Sequence, residues 1–495
     1  MPRPRALLAV ALVAALLPLA SATAGSGTAS SAALTGSIPN NPFMSSSGAN
    51  SMHSDSYASD THPWSGPTGR AATVTFAGKG PCAGMGITHE KLLLLQCGGA
   101  QNFTLRLVDP VTLKDLATYN LPPRPSTLQA VENANLDKVY SDSSGAYFYL
   151  DNLDRAVVAD AAQHIQRIRH VQAQDGTWSF VKTDDWDLSR YLPHDCTTYT
   201  NPLPQGSCDP VTGVLPDWHG LMWWISRYGR VGTLDPRTGK VHLMWLRGEQ
   251  IENSNSVSEA GVAIVTDHAM YMFRADRSGR PHIIWRANYD RGSARKVGQI
   301  NQGSGTTPTF IGDQYVAISD NADSRMHVLV YRRAARLASG QHRLFCSVPV
   351  FPAGESATEN SLVGWGDGLV VENNYGYLNP TTRIEGDAQP GGVTKVVVGR
   401  SGCRVAWHST VLSPSVVPKL ARGNGLLYLY SPHSVAPGID EWRLTIVDWR
   451  TGKTVGEVTT GRGAPYDNAW APITLGPRGY AYIACFGGLL SVHDG

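Results

Sequence analysis

The chain has 495 residues and a formal net charge of +2, with 42 Lys and Arg against 40 Asp and Glu. This balance, with no long Lys/Arg run, argues against a nucleic-acid partner, because such proteins usually carry a concentrated basic face. The length would accommodate two or three average domains, but the composition is uniform after residue 70 and no linker divides it. We therefore expect a single domain over residues 71–495, and a monomer.

The N-terminus has the three parts of a secretory signal peptide. Arg3 and Arg5 supply the positive region, residues 6–19 the apolar core, and residues 20–22 a small-residue cleavage signal near Ala22. The apolar run is short for a membrane span, and no later stretch approaches that length. The sequence thus predicts a secreted protein with a signal peptide at 1–22 and no membrane anchor.

Residues 23–70 are rich in Ser, Gly, Ala, Asn and Pro. Such a segment cannot bury enough apolar surface to order itself. We expect residues 23–70 to be a flexible leader.

Seven Cys in an exported chain predict disulfides and one leftover thiol. Spacing suggests the pairs Cys82–Cys97, Cys196–Cys208 and Cys346–Cys403, with Cys485 buried and unpaired. Because the count is odd, the identity of the unpaired Cys stays open at this stage.

The chain repeats a strand-rich unit. Comparable strand starts recur at intervals of roughly 50 to 55 residues, a period typical of propeller blades; they lie near Cys82, Glu132, Glu252, Ser304, Glu359, Ser413 and Asp467. One further unit has its second strand at 221–226. Residues 160–169 are the one modest helical candidate. The spacing predicts an all-β propeller, with eight four-stranded blades as the main interpretation and seven or six blades as the alternative.

Closure of the ring can also be predicted. The last unit has room for three strands, at 471–475, 480–485 and 489–493, and an isolated apolar run at 72–76 follows the leader. Joining both termini in one blade removes an open sheet edge. We expect residues 72–76 to supply the fourth strand.

The outer hairpins carry a family resemblance. Asp235-Pro-Arg-Thr-Gly-Lys240 precedes a strand that bears Trp245, and Asp448-Trp-Arg-Thr-Gly-Lys453 repeats the turn. This pattern resembles quinoprotein-type propeller repeats, in which Asp and Thr hold the turn and Gly takes a positive φ. The resemblance implies the fold, not the activity.

Acid and amide residues mark both ends of two hairpins. One hairpin runs from Glu252-Asn253 to Asp267-His268, and the other from Glu359-Asn360 to Glu372-Asn373. In an antiparallel hairpin these ends lie side by side, so several may converge on one mouth of the channel. Carboxylate and amide oxygens suit Ca²⁺, whereas turn capping is the ordinary role of such residues.

These hairpins resemble the calcium-binding blades of paraoxonase and gluconolactonase-like propellers. The resemblance implies a Ca²⁺ held by Glu252, Asn253, Glu359, Asn360 and Asn373, which would polarise an ester or lactone. His268, with Asp267 to orient it, is the predicted proton-transfer group. Among the Trp residues, Trp218, Trp223, Trp224 and Trp470 are candidates for a platform that stacks on a sugar or planar ligand.

Three functions remain open. The main expectation is a metal-dependent enzyme that acts on a small ester, lactone or carbohydrate. A non-catalytic extracellular binding or assembly scaffold is the alternative. A PQQ-dependent oxidoreductase is the third, but no marker of the quinone site is found. Common signatures of serine hydrolases, zinc peptidases and nucleotide-binding proteins are missing from the sequence.

Overall fold

The computed structural model describes residues 32–98, 103–133, 145–194, 208–377 and 388–495. These residues form eight sheets, seven of four strands and one of five. Each sheet is a blade, and the first strands of several neighbouring blades touch around a central channel. The protein is an all-β, eight-bladed propeller, as the main interpretation of the repeat predicted, and not a seven- or six-bladed one.

Two strands precede the first blade: β1 (Thr61–His62) and β2 (Thr73–Gly78). The strands of blades 1 to 4, each from the channel outwards, are β3 (Cys82–Ile87), β4 (Leu93–Gly98), β5 (Phe103–Val108) and β6 (Asp115–Asn120); β7 (Tyr149–Leu150), β8 (Ala156–Ala159), β9 (His164–Gln172) and β10 (Trp178–Asp187); β11 (Val211–Pro216), β12 (Met222–Ser226), β13 (Arg230–Asp235) and β14 (Lys240–Trp245); and β15 (Ser256–Ser258), β16 (Gly261–Val265), β17 (Ala269–Ala275) and β18 (Pro281–Asn288).

The strands of blades 5 to 8 are β19 (Thr309–Ile311), β20 (Tyr315–Ser319), β21 (His327–Arg332) and β22 (Leu344–Pro349); β23 (Val363–Trp365), β24 (Gly368–Glu372), β25 (Val393–Val398) and β26 (Cys403–Ser409); β27 (Lys419–Ala421), β28 (Leu426–Ala436), β29 (Ile439–Asp448) and β30 (Thr454–Arg462); and β31 (Ile473–Leu475), β32 (Ala481–Cys485) and β33 (Gly488–His493). One helix, α1 (Pro125–Glu132), lies between blades 1 and 2, and short 3₁₀ turns lie at Ser189–Tyr191, Ala464–Tyr466 and Pro477–Gly479.

Burial falls from the inner strands to the rim of the propeller. Every residue of β4 and β24 is buried, whereas no residue of β6 or β10 is. Apolar side chains of adjacent blades pack between the sheets; the rings of Trp223 on β12 and Phe273 on β17, for example, lie 6.2 Å apart. The core is therefore a ring of sheet-on-sheet contacts.

The outer turns form as the quinoprotein-type pattern predicted. In the Asp448 turn the carboxylate accepts hydrogen bonds from the Thr451 backbone and hydroxyl at 2.8 Å. Gly452 has φ +72°, and a Cβ there would meet the ring of Trp407 from the preceding blade at 2.6 Å. Gly is required at this position by both the backbone angle and the packed indole.

The ring closes through the N-terminal strand. β2 pairs antiparallel with β33 from Thr73–His493 to Gly78–Gly488, and it completes blade 8 as the fourth strand. The predicted closure is confirmed, although the strand extends to Gly78 rather than ending at residue 76.

Two local predictions are wrong. Residues 160–169 contain the start of strand β9 rather than a helix, because alternate side chains of β9 face the core. A blade does not begin near Glu132, which ends helix α1; Pro125 at the first helical position has a backbone angle suited to helix initiation. The inner strand of blade 2 begins later, at Tyr149.

Residues 41–62, which we call the channel segment, correct the expectation of a flexible leader. Most of the segment is buried, and its carbonyl groups accept hydrogen bonds from the inner strands of six blades; the donors are the backbone amides of Ile87, Leu150, Val257, Phe310, Gly364 and Leu420. The segment is ordered by the unpaired inner edges of the blades, and Met44, Ala49 and Tyr57 add apolar contacts with the cores between the blades. Residues 1–31, with the predicted signal peptide, lie outside the described residues.

Disulfides join Cys82 to Cys97 and Cys346 to Cys403, and Cys485 is buried and unpaired, as predicted. Cys208 is also disulfide-bonded, and its predicted partner Cys196 lies outside the described residues. These bonds indicate an oxidising compartment. A helix long and apolar enough to cross a membrane is not found in the described part of the chain.

Candidate active site

A cavity of about 180 Å³ lies at the end of the channel where the first strands of the blades begin. Its polar wall comes largely from the turns before β15 and β23 and contains Glu252, Asn253, Glu359, Asn360 and Ser361. The fold brings these turns together because every blade presents the start of its first strand at the same end of the channel. The expected convergence of hairpin ends is therefore observed for the two Glu-Asn pairs.

The channel segment forms the floor of the cavity through Met52 and His53. His53 Nδ1 lies 2.9 Å from the Ser361 hydroxyl and 3.3 Å from both carboxylate oxygens of Asp60, and its Nε2 lies 3.1 Å from the Thr307 hydroxyl. The floor is thus attached to blades 5 and 6 by side-chain hydrogen bonds.

A buried ion pair fixes the segment further. Lys419 on β27 donates hydrogen bonds to Asp60 and, at 2.8 Å, to the Met52 carbonyl, and neither charged side chain is exposed. Burial alone would raise the pKa of Asp60, but Lys419 and His53 together lower it below its ordinary value. Asp60 is therefore an anion whose charge Lys419 balances.

Glu359 has the most unusual environment in the cavity. Its side chain is buried, and no side-chain donor among the described residues reaches either carboxyl oxygen. Burial raises the pKa of Glu359 well above its ordinary value, and the nearby charge of Glu252 raises it further. The Ile300 backbone amide and the positive charges of Arg227 and Arg295 favour the anion but do not offset these two effects.

Glu252 differs from Glu359 because it has a partner. Arg227, which follows strand β12, forms an ion pair with its carboxylate, and both side chains are buried. Two carboxyl groups in one cavity thus have opposed environments, since Glu252 forms an ion pair with a guanidinium and Glu359 is buried without one. Such pairs favour one ionised and one protonated carboxyl.

The amide groups hold this arrangement in place. The Tyr147 hydroxyl donates to Asn253 Oδ1 at 2.5 Å, and Asn253 Nδ2 donates to the Glu359 carbonyl at 3.0 Å. Asn360 donates to Glu372 and to the Val416 carbonyl. Burial raises the pKa of Glu372 to about 8, even though Ser413, Asn360 and Asn374 all donate to it.

Three predicted site residues lie elsewhere. Asn373 is buried beside the cavity turns, where Nδ2 donates to two backbone carbonyls and Oδ1 accepts from two backbone amides. His268 and Asp267 are hydrogen-bonded to each other at 2.9 Å, and Arg291 forms an ion pair with Asp267. His268, Asp267 and Arg291 do not line the cavity. Their predicted roles in metal binding and proton transfer stay predictions.

Of the four candidate platform residues, Trp470 alone lines the cavity. Trp223 and Trp224 are fully buried in the core, and Trp218 packs against the Tyr57 ring. The cavity wall around Trp470 is mainly apolar, with further side chains from Phe103, Leu128, Val417 and Phe486.

A different group of residues can hold a metal ion. The side chains of Glu90, Asp154 and His170 place their ligand atoms within 4.8 Å of one another. This cluster lies in blades 1 and 2 and involves none of the predicted ligands.

At the cavity itself the donors do not fit Ca²⁺ well. Ca²⁺ takes about six to eight oxygen ligands, but the Glu252 carboxylate is paired with Arg227 and the Asn253 carbonyl already accepts from Tyr147. A second cation beside the guanidinium would be repelled. The carboxyl pair suits a proton better than a divalent cation, so no step below is routed through a metal.

Some residues of the site could have been predicted from the sequence, and others could not. Arg227 lies directly after the end of the second strand of blade 3. Asp267 and Glu372, which were selected from the sequence, lie near the ends of the second strands of their own blades. Tyr147 and His53 had no such signal, because one precedes an inner strand of two residues and the other belongs to the channel segment.

No family model matches this chain. An uncharacterized protein of Archaeoglobus fulgidus is 26% identical over 316 residues, which is 57% of this chain and 61% of that protein. The chain therefore spans less than two thirds of the length of this relative.

Among solved structures, the quinohemoprotein alcohol dehydrogenase from Comamonas testosteroni matches with a TM-score of 0.54 and 9% identity, over 90% of this chain and 80% of that one. This likeness agrees with the propeller fold described above. A streptogramin B lyase structure matches with a TM-score of 0.38 and 8% identity, over 86% of this chain and 98% of that one. At 9% identity the likeness to the dehydrogenase concerns the fold alone.

The quinone cofactor of such dehydrogenases does not fit the cavity. PQQ is a tricarboxylate, and the cavity already holds the carboxyl groups of Glu252 and Glu359. Of the nearby cations, Arg227 is paired with Glu252 and Arg124 already has a partner. Like charges without added cations repel. We derive no step through this cofactor.

Proposed function

We propose that the protein is an exported enzyme that hydrolyses a small ester, lactone or carbohydrate in this cavity by acid–base catalysis. The observation that carries the proposal is the contrast between Glu359, buried without a matching cation, and Glu252, paired with Arg227. Enzymes commonly separate acid and base roles by giving two carboxyl groups opposite environments.

The two groups divide the proton transfers. Water attacks the carbonyl or acetal carbon and gives a proton to the Glu252 carboxylate, while protonated Glu359 gives its proton to the oxygen of the bond that breaks. The products are an acid or hemiacetal and an alcohol. A proton then passes from Glu252 to Glu359 through water, which restores the starting state.

Export is part of this proposal. It is supported by the predicted signal peptide and by disulfides, which persist in oxidising compartments. A small-molecule ligand is supported by the size of the cavity, about 180 Å³, and by the polar groups that line it.

The test uses one variant and a matched control. Glu359→Gln keeps the shape of the side chain but cannot donate a carboxyl proton, whereas Glu355→Gln makes the same change on an exposed residue of the same turn region. With a screen of chromogenic esters, lactones and glycosides, we expect Glu359→Gln to lower kcat/KM about 10²- to 10⁴-fold and Glu355→Gln to leave it within about twofold of wild type. Equal activity of all three proteins would contradict the proposal, and binding without turnover by the wild type would favour the scaffold alternative.

The predicted Ca²⁺ site is tested by a separate experiment. Metal content and melting curves are compared with and without EDTA for the wild type, Glu359→Gln and Glu90→Gln. Loss of bound Ca²⁺ in Glu359→Gln alone would place the metal at the cavity and overturn the acid–base account. Loss in Glu90→Gln alone would assign it to the Glu90–Asp154–His170 cluster and leave the account standing.

A further inference from the structure

Trp470 is held at the cavity wall by a strained backbone. Ala469 and Trp470 have φ of +46° and +62°, a left-handed conformation that is unusual for a non-Gly residue and rarer for two in succession. Such angles persist when the surroundings impose them, and they concentrate at ligand sites. The strain places the indole at the wall of the cavity.

The surroundings of this turn do impose it. Asp467 accepts the Ala469 backbone amide at 3.0 Å, and Asn468 donates to the Ala471 carbonyl at 2.7 Å while accepting the Ser415 hydroxyl. The side chains of Asp467 and Asn468 are fully buried. These buried side chains therefore make the turn a rigid support for Trp470, which lies between Asn468 and strand β31.

The indole ring is fixed on one side and lines the cavity. Tyr377 packs edge-on against it, with ring centroids 4.8 Å apart and planes at 87°, and its hydroxyl bonds to Asp467 at 2.7 Å. The indole Nε1 is buried and has no acceptor among the described residues. A buried donor without an acceptor is costly, so this group is suited to a ligand oxygen.

The charged groups around the cavity already have partners, including the buried Arg124 on its wall. Glu252 is paired with Arg227, and Asp60 beneath the floor is paired with Lys419. Glu359 is buried, and within the described part of the chain no side-chain donor reaches its carboxyl group. An ionic ligand would therefore have to displace an existing interaction to find a countercharge.

The surface that the wall exposes to the cavity is mainly apolar. Aromatic and aliphatic side chains, including Phe103, Phe486 and Leu128, make most of this surface. Several of the polar groups, such as Asn253 and Asn360, are already hydrogen-bonded within the protein. A carbohydrate would lose water from every hydroxyl and regain few partners, at a cost for each unpaired group. A flat apolar molecule would lose little and gain contact with the rings.

We infer that the substrate is an uncharged, largely apolar ester or lactone, that Trp470 packs on its flat face, and that Glu359 reaches its accepting oxygen. This inference rests on the proposed acid–base function and selects among the substrate classes left open there. Trp470 is the positioning residue, and Glu359 is the catalytic one.

Binding is measured apart from turnover. In the Glu359→Gln protein, which holds the substrate without cleaving it, the dissociation constant of para-nitrophenyl butyrate is determined by calorimetry. It is compared with those of a para-nitrophenyl glucoside and the anionic para-nitrophenyl hemisuccinate. We expect the butyrate to bind at least about tenfold more tightly than either of the others. Equal or tighter binding of the glucoside or hemisuccinate would overturn the inference.

The role of Trp470 is tested in the same protein. Adding Trp470→Ala should weaken butyrate binding about tenfold or more, and Trp470→Phe should weaken it less, since the ring stays and the N–H is lost. Trp245→Phe, on the outermost strand of blade 3, is the matched control and should have no effect. Unchanged binding in both Trp470 variants, with melting temperatures near that of the parent, would overturn the inference.

The two proposals fail in different ways. If Glu359→Gln retains full turnover in the otherwise wild-type chain, the acid–base function is wrong. Binding is then measured with uncleavable amide and ether analogues of the same probes, so that the ligand class is still decided. If turnover is lost but Trp470 does not affect binding, the function stands and the assigned substrate face does not.

Discussion

Glu359 lies directly against the backbone of Gly305 in the neighbouring blade. A Cβ at position 305 would overlap the carboxyl group of Glu359. The position of the proposed acid therefore depends on a residue without a side chain. Gly305 precedes strand β19 at the same end of the propeller, so one blade sets the position of a group carried by the next.

Gly305→Ala should displace the Glu359 carboxyl and lower kcat/KM at least tenfold, because small displacements of a reacting group have large effects on rate. The chain should still fold, since the clash is confined to one side chain. Steady-state kinetics and a melting curve measure the two effects. Gly78→Ala, where an added Cβ meets nothing within 4 Å, is the control. Unchanged kinetics in the Gly305 variant would show that Glu359 is not held where we describe it.

The pH dependence of the reaction should follow Glu359. Its pKa is raised by burial and by Glu252, so the protonated form extends to higher pH than for an ordinary Glu. An acid acts only while it holds its proton, and kcat/KM should therefore fall as pH rises through this raised pKa. The residual activity of Glu359→Gln should lack that falling limb. A profile that keeps the same limb in the variant assigns it to another group.

At the residue scale, part of the site could be predicted from the sequence. The repeated Glu-Asn pairs identified Glu252, Asn253, Glu359 and Asn360 because hairpin geometry is local and regular. The partners that decide their chemistry come from other blades. Arg227 and Tyr147 pair with residues 25 and 106 positions away in sequence, and nothing in a local pattern encodes such pairings.

At the scale of elements, the composition led to a wrong prediction for the channel segment, which is ordered rather than flexible. Its Ser, Gly and Ala residues gave no sign of order, because order here comes from backbone groups on the inner strands. Small side chains suit the narrow channel that they fill. Helix α1 and strand β9 were missed for a related reason, since short elements take their conformation from neighbouring structure as much as from their own propensity.

The ion pair between Asp60 and Lys419 should be the main interaction that holds the channel segment in place. Lys419→Met leaves Asp60 buried and uncompensated, so we expect the free energy of unfolding to fall by about 3–5 kcal/mol. Adding Asp60→Asn should restore part of the loss, because no charge is then left unpaired. Chemical denaturation measures both, and Lys453→Met on the exposed outer turn is the control. Equal stability of Lys419→Met and wild type would mean that the segment is held by its backbone bonds alone.

Closure by β2 should be essential for folding. Deleting residues 71–77 removes most of the strand that pairs with β33 and opens an edge in blade 8, where exposed backbone groups promote aggregation. We expect no soluble protein. Deleting residues 33–39, which are mostly exposed, should leave the yield near that of wild type. A normal yield of folded protein from the first deletion would contradict the closed ring.

At the scale of the whole molecule, the fold was predictable because it is repetitive. Turn chemistry, apolar runs and a regular spacing each recur in several blades, so an error in one unit, such as the start assigned near Glu132, did not change the architecture. The site had no such redundancy. It is assembled once, from several blades and a segment that precedes them all.

The same contrast explains what similarity to known structures contributes. A propeller can share its architecture with an alcohol dehydrogenase at 9% identity, since the framework tolerates almost any set of residues at the channel mouth. The chemistry has to be argued from the groups that occupy that mouth in this chain. Here those groups are a matched ion pair, an enclosed carboxyl and an apolar wall.

The most direct measurement of this account is the infrared spectrum of the Glu359 carboxyl group in the resting protein at neutral pH. The wild-type spectrum minus that of Glu359→Gln isolates this group from other buried acids such as Glu372. Our account predicts a band of a protonated carboxyl in the difference spectrum, which titrates away at the same pH at which kcat/KM falls. A carboxylate band in its place would show that Glu359 is ionised at rest and would contradict its role as the acid.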